Sequence, residues 1–197
     1  TLFLVYYDIL IVSPFLFIIN LNSKKITYNY VLEPRCIYNI EKINTRKTIF
    51  KEERPPENFY TLVVLALIQN SKNEILVQKR SKQKGGEFGL TSGHPKSGET
   101  SLSGIITEIK EELGVEAKPQ ELKLMYSERD DVNRCFYDLY YLKKDYDENE
   151  MKLQKEEVEN IYWFPEEKVN ELCDNGTFKT SHIEAFKILL EKLSGKY

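Results

Sequence analysis

The run Gly93-His94-Pro95-Lys96-Ser97-Gly98-Glu99-Thr100, continued by Ser101 to Leu113 and closed by Gly114-Val115, constrains this chain more than any other stretch. It reads as a loop, a helix and a stop. Gly93 and Gly98 admit tight turns and close backbone approach. Leu102, Ile105, Ile106, Ile109 and Leu113 recur at spacings of three and four, so one helix face is apolar. Gly114 falls where a left-handed C-terminal cap belongs.

The opposite face is acidic. Glu108, Glu111 and Glu112 lie three and four residues apart, which clusters their carboxylates. Like charges at this spacing cost roughly a few tenths of a kcal/mol per pair. They also crowd the C-terminal end of the helix, where the macrodipole disfavours anions. A helix built only for stability would carry Lys or Arg there. Local rules broken together point to function, and a hard divalent cation would relieve the repulsion through oxygen ligands.

The stretch resembles the Nudix box: glycine, five residues, glutamate, seven residues, Arg-Glu, an apolar residue, any residue, Glu-Glu, any residue, glycine and an apolar residue. Gly93, Glu99, Glu108, Ile109, Glu111, Glu112, Gly114 and Val115 stand in register. The one departure is Thr107, where the family has arginine. The resemblance implies an α/β fold, a Nudix-type α/β/α sandwich with a mixed sheet. It also implies metal-dependent hydrolysis of a diphosphate linked to another moiety, often in a nucleoside diphosphate derivative. Glu108, Glu111 and Glu112, with backbone groups of the Gly93 loop, would hold Mg²⁺ or Mn²⁺. Glu99 would brace the loop, with Gly98 and Gly114 structural within the motif. The general base in the family is a box glutamate, here Glu111, or a glutamate on a distant loop. Glu156 and Glu157 are the loop candidates, and Glu157 is preferred because it directly precedes Val158 in a family-like Glu-Glu-Val run. Thr107 removes a cation that usually pairs with neighbouring carboxylates, so excess negative charge is expected there.

The rest of the chain fits around this unit. Its 197 residues suit one domain of ordinary size with an extension. A net charge of −3 provides no general basic field for nucleic acid. Cys36, Cys135 and Cys173 form no metal-ligand spacing and suit a reducing compartment, hence the cytoplasm. Residues 1–20 are nearly all apolar, but Asp8 and Pro14 interrupt them and no basic segment precedes them. An aspartate at a bilayer centre costs about 2.5–3.5 kcal/mol. β-Branched and aromatic residues favour two strands over a membrane helix, and a hairpin leading into a strand at Ile26 to Leu32 follows. The chain starts at Thr1, which leaves room for an upstream piece. A β-rich extension is therefore expected over residues 1–35, packed on the domain or on a second copy as a homodimer. The Nudix domain is expected over 36–197.

Within that domain, strands are expected at Tyr60 to Gln69, Ile75 to Arg80, Glu121 to Arg129, Arg134 to Lys143 and Val158 to Phe164. Helices are expected at Pro165 to Cys173 and Ser181 to Leu193. Ser81 to Gly89 reads as a loop, and Arg35 to Glu53 as mixed and charged. Arg80, Lys82 and Lys84 form a basic cluster just before the box, where Arg80 could hold phosphate through its forked donors.

Two other readings share the fold. Ser92-Gly93-His94-Pro95 resembles the Cys-Gly-His-Pro of isopentenyl diphosphate isomerases, with Ser92 in place of the proton-transferring cysteine. A hydroxyl near its normal pKa is a poor substitute. A non-catalytic ligand sensor would be expected to lose box carboxylates, and all are present. The hydrolase and isomerase readings both give the chain a small-molecule substrate bearing a diphosphate.

Overall fold

The computed structural model describes residues 34–50 and 53–195 in full, and the backbone of three further strands at 9–13, 16–21 and 24–28. Those strands, β1 (Ile9–Ser13), β2 (Leu16–Leu21) and β3 (Lys24–Tyr28), form an antiparallel sheet in that order. The extension is thus β-structure where it is described, as its β-branched and aromatic composition favours. The remainder of the expected Ile26 to Leu32 strand, and the packing of the extension on the domain or a second copy, lie outside the described residues. Among the described residues no helix is long and apolar enough to cross a membrane.

β4 (Arg35–Tyr38) pairs with β5 (Asn44–Ile49). This hairpin was not expected, because β5 is almost wholly exposed and carries no apolar alternation. Its turn is made by Asn39, whose side-chain oxygen accepts from the backbone N–H groups of Glu41 and Ile43 at 3.1 and 2.8 Å. β4 also bonds to the domain. Tyr38 and Tyr60 exchange backbone hydrogen bonds, and Pro34 O accepts from Ser97 N–H at 3.0 Å.

The main sheet contains β6 (Thr61–Gln69), β7 (Ile75–Arg80), β8 (Phe88–Gly89), β9 (Thr91–Gly93), β10 (Leu122–Asp130), β11 (Cys135–Lys143) and β12 (Val158–Phe164). The order is β10-β11-β6-β7-β12, with β6 and β11 parallel and the other pairs antiparallel. β6 and β7 pair only at Gln69 and Ile75. Beyond that point the segment from Phe88 to Gly93 fills the gap, first as β8 on β7 and then as β9 on β6. Strands this short leave no periodicity to read, which is why 81–89 looked like a loop. Lys82–Lys84 within it form one 3-10 turn.

Strand alternation builds two cores. Leu62, Val64, Ala66 and Ile68 of β6 face α1 (Ser101–Leu113), meeting Ile105, Ile109 and Leu113. Leu65 and Leu67 face the opposite layer, α2 (Glu166–Asp174) and α3 (Thr180–Leu193), meeting Val169, Phe186 and Leu189. These side chains are essentially fully buried, each one larger than alanine contributing roughly 1.5–3 kcal/mol. The result is the expected α/β/α sandwich with a mixed sheet. Helix α1 is fixed at both ends. Thr100 caps its start by accepting from Ser103 N–H at 3.1 Å. Gly114 takes φ 68° at its end, as a left-handed cap requires, and donates to Lys110 O at 3.0 Å. Pro165 caps α2 one residue before the helical position expected for it.

Candidate active site

Where β6 and β7 part, a cavity of about 350 Å³ opens, lined from both sides of the split. One wall is acidic. Glu108 and Glu112, one helical turn apart on α1, both reach it. A Cβ on Gly93 would stand 2.1 Å from the Glu108 carboxyl carbon. Only glycine therefore lets that carboxylate lie against the backbone of the loop. Glu111 is not part of the lining. It is 43 % exposed and forms an ion pair with Lys96, itself a lining residue.

Glu112 is 4 % exposed. Gln78 Nε2 donates to its Oε2 at 2.7 Å, and the Ser92 backbone N–H donates to the same carboxyl. Burial pushes the carboxyl up to about 7, against these hydrogen bonds and the nearby Arg80 charge. Gln78 Nε2 also donates to Thr91 Oγ1 at 3.0 Å, while Gln78 Oε1 is buried with no hydrogen-bond partner. Among the described residues no three His, Cys, Asp or Glu side chains converge closely enough to hold an ion alone. Mg²⁺ does not need such a cage. It is usually bound through one or two carboxylates, keeps several waters and shares the substrate's phosphates. Glu108 and Glu112, with a backbone group of the Gly93 loop, fit that donor set, and the orphaned Gln78 Oε1 beside Glu112 could accept from a coordinated water.

Glu99 braces the loop from within. One oxygen accepts from Lys96 N–H at 2.7 Å and the other from Thr107 Oγ1 at 2.6 Å. The residue at the arginine position thus supports the loop directly, and the expected excess negative charge is met at Glu111 by Lys96. Gly98 turns the loop at φ 92°.

The other wall is basic. Arg80 lines it and donates from Nε to Lys84 O at 3.2 Å. Lys84 lines it too, in an ion pair with Glu157, whereas Lys82 is exposed and outside the lining. Glu157 faces the cavity. Glu156 does not, and its backbone carbonyl accepts from Ser81 Oγ at 2.6 Å.

Lys179, at the start of α3, joins this wall. Burial, then the neighbouring Arg80 charge, lowers its ammonium to about 8. Arg35 reaches the cavity from β4 and donates from Nη1 to His94 Nε2 at 2.9 Å. His94 in turn donates from Nδ1 to Leu62 O at 2.9 Å, which makes it a neutral loop residue. His182 of α3 is 3 % exposed and lies under Ser92. No local pattern marked Arg35, Gln78, Lys179 or His182, since only tertiary packing brings them to the loop.

The NUDIX domain family model matches residues 59–185. An uncharacterized Nudix hydrolase of Listeria innocua is 33 % identical over 151 residues, 75 % of this chain and 88 % of that protein. The crystal structure of DR0079 from Deinococcus radiodurans aligns with a TM-score of 0.64 at 19 % identity, over 79 % of this chain and 97 % of its own. A Francisella tularensis bifunctional NMN adenylyltransferase/ADP ribose pyrophosphatase, complexed with AMP and a Mn ion, aligns with a TM-score of 0.52 at 20 % identity. That match covers 72 % of this chain and 43 % of its own. The isomerase resemblance of Ser92 to Pro95 gains no support from these matches.

Proposed function

The chain belongs to the Nudix hydrolase family, and we propose from that premise that it is a metal-dependent pyrophosphohydrolase of nucleoside diphosphate derivatives. One observation carries the reading. Glu108, pressed against Gly93, and the buried Glu112 face a wall holding Arg80, Lys84 and Lys179 across one cavity. A metal-neutralised diphosphate is complementary to both walls.

Glu108 and Glu112, with a backbone group of the Gly93 loop, would hold Mg²⁺ or Mn²⁺. Bound there, the ion would polarise phosphoryl oxygens and lower the pKa of a bound water. Arg80 grips the phosphate away from the carboxylates, its guanidinium fixed by Lys84 O. Lys179 adds charge beside it. Glu157 is the better placed of the two candidate bases, because it faces the cavity while Glu111 does not. Its ion pair with Lys84 holds the carboxylate at the wall, where it can take the proton of the attacking water. Cys36, Cys135 and Cys173 are buried free thiols, which supports a reducing, cytoplasmic setting.

ADP-ribose is the first substrate to test, given the activity of the Francisella protein, within a panel that includes a nucleotide sugar and a dinucleoside polyphosphate. Purified protein with Mg²⁺ is expected to release a nucleoside monophosphate. Hydrolysis that survives exhaustive chelation, or a full panel left intact, would end this reading.

A further inference from the structure

We propose that Ser92 is a catalytic residue whose hydroxyl donates to a phosphoryl oxygen in the cavity, and that His182 is the positioning residue that fixes it as a donor. The inference rests on the diphosphate reading above.

The argument begins at the imidazole. Leu90 N–H donates to His182 Nδ1 at 3.1 Å. A backbone amide always carries its hydrogen, so Nδ1 is the bare nitrogen. The neutral ring therefore carries its hydrogen on Nε2. Nε2 lies 3.1 Å from Ser92 Oγ, and there it donates. Burial, followed by the Lys179 and Arg80 charges, holds the imidazole's pKa well below its ordinary value, which keeps the ring neutral. The close fit is built into the fold. A Cβ on Gly89 would come 3.0 Å from Nδ1, so glycine makes room for the ring.

Ser92 Oγ thus receives a hydrogen bond and keeps its own hydrogen. Among the described residues that hydroxyl has no other hydrogen-bond partner. The Glu112 carboxyl takes the Ser92 backbone N–H, not the hydroxyl. Ser92 lines the cavity immediately before Gly93, so the free O–H serves that space. The same tautomer excludes a serine nucleophile, because no bare nitrogen faces Oγ to receive its proton. What complements a lone donor at the cavity is a group that only accepts, and a phosphoryl oxygen is one. An O–H donor already polarised by a second hydrogen bond is a stronger donor, and it gains most where charge develops in the transition state.

The test compares wild type, Ser92→Ala, Ser92→Thr, His182→Asn and the double variant S92A/H182N. Asparagine keeps an acceptor for Leu90 N–H but loses the donor to Ser92. Three readouts are taken: kcat and KM on the substrate that wild type hydrolyses, the affinity for inorganic pyrophosphate with Mg²⁺ by calorimetry, and the melting temperature. Ser92→Ala is expected to lower kcat about tenfold and weaken pyrophosphate binding, with unchanged melting. Ser92→Thr is expected to restore both. His182→Asn is expected to lower kcat several-fold alone and to add nothing in the S92A background, because it acts through Ser92. If His182→Asn fails to fold, the two serine variants decide the matter. Unchanged kinetics and pyrophosphate affinity in Ser92→Ala, or a loss that Ser92→Thr does not restore, would overturn the inference. A wild type inactive on every diphosphate would defeat the functional reading instead, and pyrophosphate calorimetry would then decide the Ser92 contact alone.

Discussion

The two walls of the cavity are built differently. The acidic wall comes from one continuous loop and helix. Gly93, Glu108 and Glu112 sit on a unit capped by Thr100 and Gly114 and braced by Glu99. The basic wall is collected from β7, the turn after it and the start of α3, through Arg80, Lys84 and Lys179. Groups that must be placed to a fraction of an ångström stand on one rigid element. Groups that only supply charge hang on long side chains from separate elements. Changes to the acidic wall should therefore strike the chemical step or the ion. Changes to the basic wall should strike substrate affinity and be graded.

The largest effect is expected at Glu112. Glu112→Gln should lower kcat about a hundredfold or more by removing an ion ligand. Melting should be preserved, because Gln78 Nε2 can still donate to the new amide oxygen. A folded variant with normal turnover would break the assignment of this wall. Next comes Gly93→Ala. The added methyl would overlap the Glu108 carboxyl, and the end of a flexible side chain is what must move. The fold should survive while the Mg²⁺ concentration for half-maximal activity rises about tenfold. Mn²⁺ binding followed by electron paramagnetic resonance should weaken in parallel, and an unmoved titration would remove Glu108 from the ion site.

The contrast between the walls also explains what could be read from sequence. The α1 face, the Gly114 cap and the bracing role of Glu99 follow from spacings within a few turns of chain, and all were legible. The core strands were legible because Thr61–Gln69 is apolar along nearly its whole length and Val158–Phe164 is rich in β-branched and aromatic residues. The β4–β5 hairpin was not, since its second strand is charged and its turn depends on one asparagine. Lys84 and Lys82 looked equivalent, yet one 3-10 turn points them apart. Arg35, Lys179 and His182 reach the cavity only through tertiary packing, for which no local pattern exists. Thr107 was legible as a departure but not in its consequence, because its partner Glu99 lies eight residues back.

On the basic wall, Arg80→Ala should raise KM about tenfold with a smaller fall in kcat. A second readout separates this from loss of fold. The Arg80 charge is one of the causes that lower Lys179 to about 8, so its removal should let the Lys179 pKa rise, measurable by NMR titration. In wild type the sign runs the other way. Lys179 loses its charge as pH passes upward through about 8, and KM for an anionic substrate should climb there. In Arg80→Ala that climb should move to higher pH. Kinetics and Lys179 titration both unaltered would take Arg80 out of the site and leave the basic wall without its anchor.

The smallest effect tests whether the walls are truly separate. Lys96 is a cation on the acidic side, paired with Glu111. The pair is 34 % and 43 % exposed on its two sides, and a screened pair of this kind is worth about 0–1 kcal/mol. Lys96→Ala should accordingly lower kcat/KM only about threefold. The brace is spared, because Glu99 takes the backbone N–H of Lys96 and not its side chain. The loss should shrink at high salt, where the pair contributes less in wild type as well. Thr107→Arg in the Lys96→Ala background puts a cation back on the helix next to the same carboxylates, but removes the Thr107 bond to Glu99. Partial recovery is the expected outcome, with a small drop in melting temperature. A Lys96→Ala loss of a hundredfold, unmoved by salt and by Thr107→Arg, would mean that the ammonium touches the reacting phosphate. Lys96 would then belong to both walls, and precision and charge would no longer be divided between them.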